Sequence, residues 1–178
     1  MTEDLKDILY TEEMILARVR ELAARISHDY AATSPLMIGI LKGSFIFLAD
    51  LVRLIDFSCE IRFLAASSYG AQAFSSGKVN YDANLDFTPE ERDIIIVEDI
   101  LDTGITLLEV YKHILEHNPR SIKICCLLDK PSRRKVKINA DYIGFECPDE
   151  FLVGYGLDYA ERYRNIPFIA SLKPEVYS

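Results

Sequence analysis

The sequence predicts an α/β fold with a central, mostly parallel twisted sheet flanked by helices. Three observations lead there. "PLMIGIL" (35–41), "RDIIIVED" (92–99) and "SIKICCLLD" (121–129) are short continuous apolar runs, the pattern of strands covered on both faces. Segments of helical length and spacing, "FIFLADLVRLI" and "ITLLEVYKHILEHN", follow the first two runs. Strand, helix, strand order with buried strands then implies parallel pairing through right-handed crossovers.

Taken in order, the first element is a helix from Thr11 to about Ala32. Thr11 can cap it, Glu12 and Glu13 suit the positive end of the helix dipole, and Ile15, Val19, Leu22 and Ile26 fall on one face. Next come the strand at 35–41, a tight turn through Gly43 and Ser44, and a helix; "EIRFLAAS" (60–67) is a further strand. Residues 68–91 are rich in Gly, Ser, Asn and Asp without aliphatic periodicity, which reads as a tolerated surface insertion or a mobile lid. The helix after the second buried strand is stopped by Pro119. "DYIGFE" and "FLVGYG" are short β-like pieces separated by Pro148.

A chain of 178 residues, 49% hydrophobic and 27% charged, has the size and composition of one folded domain, residues 1–178. Its 28 acidic and 20 basic residues give a net charge of −8, which disfavours nucleic acid and anionic membrane as partners. "MTEDLKDILY" lacks the basic start and apolar core of an export signal, and no apolar run reaches spanning length. Cys59, Cys125, Cys126 and Cys147 have neither zinc nor redox spacing, so reduced thiols in a cytoplasmic protein are expected. Cys125 and Cys126 should face opposite sides of their strand.

The segment "IIIVEDILDTGITL" (94–107) carries the chemistry. Glu98, Asp99 and Asp102 fall at the carboxyl end of a parallel strand, where open α/β sheets bind ligands. Thr103, Gly104, Ile105 and Thr106 open the following helix, whose free amides and dipole can hold an anion without Lys or Arg. Acids beside an anion cradle repel a bare polyphosphate but suit a sugar phosphate, since carboxylates accept from vicinal hydroxyls directly or through Mg²⁺. Taken singly, each acid could merely end a strand or cap a helix. The combination lacks the Gly-Lys-Ser/Thr of a P-loop and the spacing of a dinucleotide fold.

"VEDILDTGITL" resembles the phosphoribosyl diphosphate motif of type I phosphoribosyltransferases, in the form of their hypoxanthine-guanine branch. "LKGS", "SSYG", "LLDK" and "FLVGYGLDYAERYRN" resemble that branch's other motifs in the same order, so the likeness runs from about Ile38 to Asn165. It implies a small hood, a mobile lid, Mg²⁺ as cofactor, and phosphoribosyl diphosphate and a 6-oxopurine as substrates in purine salvage. A homodimer or homotetramer is also implied.

By the same resemblance Asp102 is the general base acting at the purine N7. Glu98 and Asp99 hold the ribose hydroxyls or their magnesium, and Thr103, Gly104, Ile105 and Thr106 take the 5′-phosphate. Leu41, Lys42, Gly43 and Ser44, with a non-proline cis peptide between the first two, and Arg164 bind pyrophosphate. Lys130 reads the purine O6, Phe151 stacks on the base and Leu152 offers it a carbonyl. Asp158 belongs to the purine and metal set as a magnesium ligand on the pyrophosphate side. Ser68 and Tyr69 belong to the lid. Read without the family, Lys130 is a solvent-exposed lysine, Phe151 a core aromatic and Arg164 half of a surface ion pair. Ile105 departs from relatives that carry lysine there. Arg133, Arg134 and Lys135 read as a solvated turn in preference to a subunit contact, and the His113 and His117 pair as an exposed helix face. A nucleic-acid-binding regulator or a receiver-like phosphoacceptor would leave Lys130, Phe151 and "GLDY" without a task.

Overall fold

The computed structural model describes residues 2–65 and 85–177. Five strands form a parallel sheet in the order β3-β2-β4-β5-β6, comprising β2 (Leu36–Leu41), β3 (Glu60–Ala65), β4 (Asp93–Leu101), β5 (Ser121–Asp129) and β6 (Tyr142–Glu146). Helices α1 (Glu12–Asp29) and α2 (Phe45–Val52) cover one face, and α3 (Ile105–Leu115) covers the other. Strand alternation explains how continuous apolar runs feed both cores. Ile95, Val97, Cys125 and Leu127 pack with α1 and α2, while Ile94, Ile96, Ile124 and Cys126 pack with α3. The two adjacent cysteines therefore lie on opposite faces, and all four thiols are free.

Thr11 caps α1, its hydroxyl accepting from the Met14 amide at 3.3 Å, and the expected apolar face is fully buried. The helix ends at Asp29, three residues before the expected Ala32, because Tyr30 leaves helical geometry with its amide still bonded to the Ile26 carbonyl. Likewise α2 stops at Val52 and α3 at Leu115, short of the periodic runs that suggested them.

A second, antiparallel sheet in the order β1-β8-β7 forms a hood. It contains β1 (Leu5–Tyr10), β7 (Leu152–Val153) and β8 (Ile169–Leu172). The stretch "FLVGYG" yields only two strand residues, since Gly154, Tyr155 and Gly156 all have positive φ (99°, 49° and 100°) and turn the chain away from the ladder. Tyr10 stacks on Phe145 of β6 with ring centroids 4.3 Å apart, which seats the hood against the main sheet.

Candidate active site

The carboxyl ends of β2, β4 and β5 bring together segments far apart in sequence. After β2 the Leu41–Lys42 peptide is cis, and buried Ser44 anchors the turn by donating from Oγ to the Ile40 carbonyl at 2.6 Å. Gly43 has no room for a side chain: an added Cβ would lie 1.6 Å from Asp99 Oδ2. Gly156 closes on the same loop, its own Cβ position lying 2.1 Å from the Gly43 carbonyl oxygen. Leu41 to Ser44 is thus clamped between the acids of β4 and the turn after β7.

Glu98 and Asp99 keep only partial solvent exposure and, among the described residues, neither carboxylate has a salt-bridge partner. Their acceptor bonds run to main chain, from the Asp99 amide to Glu98 Oε1 at 3.2 Å and from the Ile100 amide to Asp99 Oδ1 at 2.8 Å. Burial, then the adjacent negative charge of Asp99, push the Glu98 carboxyl well above the usual carboxylate range. Burial raises Asp99 too, opposed by its hydrogen bonds and by the charge of Arg164. Two hard oxygen donors crowded together without a cation have the donor chemistry of a magnesium site, so this pair fits the expected metal. Asp158 is engaged by Arg164 and Glu161. Its Oδ1 is 2.9 Å from Arg164 Nη2 and its Oδ2 accepts from the Glu161 amide, so its oxygens are engaged on the side of the Leu41–Ser44 loop rather than with Lys130 or Phe151. No cluster of three metal-binding side chains occurs among the described residues, His113 and His117 included.

Gly104, with φ 79°, is the left-handed residue from which α3 starts, and Thr103 Oγ1 accepts from the Ile105 amide at 3.4 Å. Thr106 lies in the helix's first turn, where amides lack helical acceptors. Asp102, in the loop between β4 and this turn, has a buried Oδ1 that no described residue hydrogen-bonds, with Arg133 Nε 3.4 Å away. That oxygen thus has a guanidinium neighbour at ion-pair range and keeps its hydrogen-bond accepting capacity.

Lys130 is 6% exposed, not the solvated lysine that its sequence context suggested. Its Nζ donates to the Glu150 carbonyl at 2.9 Å, next to Phe151. Phe151 is half-buried in the hood core, flanked edge-on by Tyr159 and stacked on Tyr177 with centroids 5.0 Å apart; Leu152 is buried in β7. Arg164 does form ion pairs, with Asp158 at 2.9 Å and with exposed Glu161 at 3.3 Å, but its side chain is only 20% exposed and Nη1 also donates to the Gly156 carbonyl at 2.8 Å. Lys42 reaches Glu161 at 2.9 Å. The expected lid residues Ser68 and Tyr69 lie outside the described residues.

Sequence reasoning missed Gly156, Glu161 and Arg134. The Gly-x-Gly after a short strand signalled the turn at Gly156. Arg134 is a correction: it sits beside the short helical turn Pro131–Arg133, yet its side chain is 15% exposed and bonds the carbonyls of Leu101 and Asp102 and the carboxylate of Asp129. Solvation was the wrong expectation because a basic doublet in sequence says nothing about which of its members turns inward.

Comparison with known proteins fits this geometry. A model of the phosphoribosyl transferase domain matches residues 6–160. The hypoxanthine-guanine phosphoribosyltransferase of Bacillus subtilis (strain 168) is 51% identical over 177 residues, covering 99% of this chain and 98% of that protein. A bifunctional protein TilS/HprT of Listeria monocytogenes serotype 4b (strain F2365) is 44% identical over the whole chain, which spans 28% of it. The crystal structure of a hypoxanthine phosphoribosyltransferase from Staphylococcus aureus superposes with a TM-score of 0.94 at 47% identity, covering 100% of this chain and 97% of that one. The chain belongs to the phosphoribosyl transferase family and, within it, to the hypoxanthine-guanine phosphoribosyltransferases.

Proposed function

We propose that this enzyme transfers the 5-phosphoribosyl group of phosphoribosyl diphosphate to N9 of hypoxanthine, and of guanine, giving IMP or GMP and pyrophosphate. The bond from C1′ to the pyrophosphate oxygen breaks as the bond from C1′ to N9 forms. The observation that supports this reading best is the Glu98–Asp99 pair, without a cationic partner among the described residues and beside a helix start that presents amides.

In this reading the Thr103–Thr106 turn receives the 5′-phosphate through main-chain amides, with threonine hydroxyls in place of a lysine at Ile105. Glu98 and Asp99 accept from the ribose hydroxyls and add negative potential where the sugar carbon becomes cation-like. Glu98, Asp99 and Asp158 are the residues that would hold Mg²⁺, which when bound would neutralise charge on the leaving group. Arg164, the Leu41–Ser44 amides and Lys42 orient that group. Asp102 takes or shares the purine N7 proton through its buried Oδ1, so that N9 gains nucleophilicity. Lys130 donates to O6, which selects 6-oxopurines because the amine of adenine offers no equal acceptor. Phe151, held by Tyr177 and Tyr159, stacks on the base. Ser68 and Tyr69 close over the reacting centre and exclude water.

The protein works as a homodimer or homotetramer in the cytoplasm. Exposed Ile61 and Phe63 on β3 and exposed Phe45 at the start of α2 support self-association, and the four unpaired thiols support a reducing compartment. No helix among the described residues is long and apolar enough to cross a membrane. Purified protein with Mg²⁺ and phosphoribosyl diphosphate is expected to release pyrophosphate with hypoxanthine or guanine and not with adenine. Absence of turnover with every purine contradicts the reading.

A further inference from the structure

We propose that Arg134 is a positioning residue that aims the amides of the Asp102–Gly104 loop into the site. Three successive carbonyls of this loop are held by one short segment. The Leu101 carbonyl accepts from the Lys130 amide at 3.0 Å and from Arg134 Nη1 at 2.8 Å. The Asp102 carbonyl accepts from the same Nη1, and the Thr103 carbonyl accepts from the Lys135 amide at 3.0 Å. The other arm of the guanidinium, Nη2, is fixed by Asp129 at the end of β5.

A trans peptide sets each carbonyl opposite the following N–H. With the carbonyls of 101, 102 and 103 all drawn toward residues 130–135, the amides of Asp102, Thr103 and Gly104 face the opposite way, toward the crevice. Packing enforces the same orientation. A Cβ on Gly104 would lie 2.6 Å from Ile138 Cγ2, 3.1 Å from Val136 Cγ2 and 3.2 Å from Arg134 Cδ, so the loop presses flat on this segment.

The Arg134–Asp129 pair is poorly explained as a stabilising device. Both side chains are about six-sevenths withdrawn from water, at 15% and 14% exposure, and desolvation offsets much of the attraction of such a pair. What the pair does supply is geometry. The planar guanidinium reaches two carbonyls and a carboxylate at once, which an ammonium cannot reproduce. Because the same segment begins at Lys130, the brace also sets the distance between the anion-binding turn and the residue assigned to the purine O6.

This inference rests on the phosphoribosyl-transfer reading, and wild-type turnover measured in the same assay separates the two; an inactive wild type defeats the reading itself. Arg134→Ala is expected to lower kcat/KM for phosphoribosyl diphosphate about 100-fold. Affinity for IMP should weaken with it, while KM for hypoxanthine moves little. Millimolar guanidinium should restore part of the loss, and Arg134→Lys should lie between, about tenfold below wild type. Arg120→Ala, which removes a cross-strand pair with Asp93 at the opposite end of β4, serves as control with kcat and KM unchanged. Where Arg134→Ala does not fold, Arg134→Lys carries the test. Wild-type kinetics in the Lys variant, or losses that track melting temperature and ignore guanidinium, overturn the proposal.

Discussion

The two ends of β4 treat acids in opposite ways. At the amino end Asp93 is neutralised, with Arg120 Nη1 at 2.9 Å and the Ser121 hydroxyl at 2.7 Å. At the carboxyl end Glu98 and Asp99 receive main-chain amides but, among the described residues, no cation within ion-pair range, and both carboxyls are raised above their ordinary range. One strand thus carries an acid that serves the fold and two that work against it. On the proposed reading, the crevice-side acids are oxygen donors held for a ligand.

The contrast can be broken most severely at the carboxyl end. Asp102→Asn keeps shape but removes the proton acceptor, so kcat should fall about 10²- to 10⁴-fold with IMP affinity nearly intact. Pre-steady-state product formation checks that the chemical step is the one slowed. Next in size, Glu98→Gln and Asp99→Asn should cut kcat/KM by roughly 10- to 100-fold while raising the melting temperature of the ligand-free chain.

The sign of that stability change follows from the raised carboxyls. The folded state keeps these protons at pH values where the unfolded chain has lost them. The penalty is therefore absent below about pH 3, where both states are protonated, and grows as pH rises through the ordinary carboxylate range until the folded groups ionise. Melting curves across this range should show the wild type losing stability relative to Glu98→Gln, and parallel curves would show the charge to be compensated after all.

Lys130→Met should narrow the preference for hypoxanthine over adenine by about 10- to 100-fold, read as the ratio of kcat/KM values. The smallest effect belongs to the amino end. Asp93→Asn removes a structural pair, which is expected to lower stability by about 1 kcal/mol and leave kcat unchanged.

What could be read from sequence follows the same division. The parallel strands were legible because a strand buried on two faces is apolar throughout, and the Thr11 cap because its chemistry is local. The placement of Glu98 and Asp99 near the carboxyl end of a strand and of Thr103 to Thr106 at a helix start was legible because these segments are contiguous. Strand β1 was not, since its exposed alternation "LKDILY" gains meaning only from pairing with β8, where Leu5 meets Leu172. The clamp of Gly43 by Asp99 and Gly156 joins three segments through backbone proximity that no spacing encodes. Arg134 was hidden for a related reason. Arg133 and Arg134 are neighbours in sequence, yet one stays half-exposed beside Asp102 and the other turns inward to brace the loop.

A crystal structure with IMP and Mg²⁺ tests the central claim most directly. The account predicts the 5′-phosphate seated on the amides of Thr103 to Thr106, with the ribose hydroxyls directed at Glu98 and Asp99. A phosphate bound elsewhere, with that turn left to water and the two acids untouched, would contradict it.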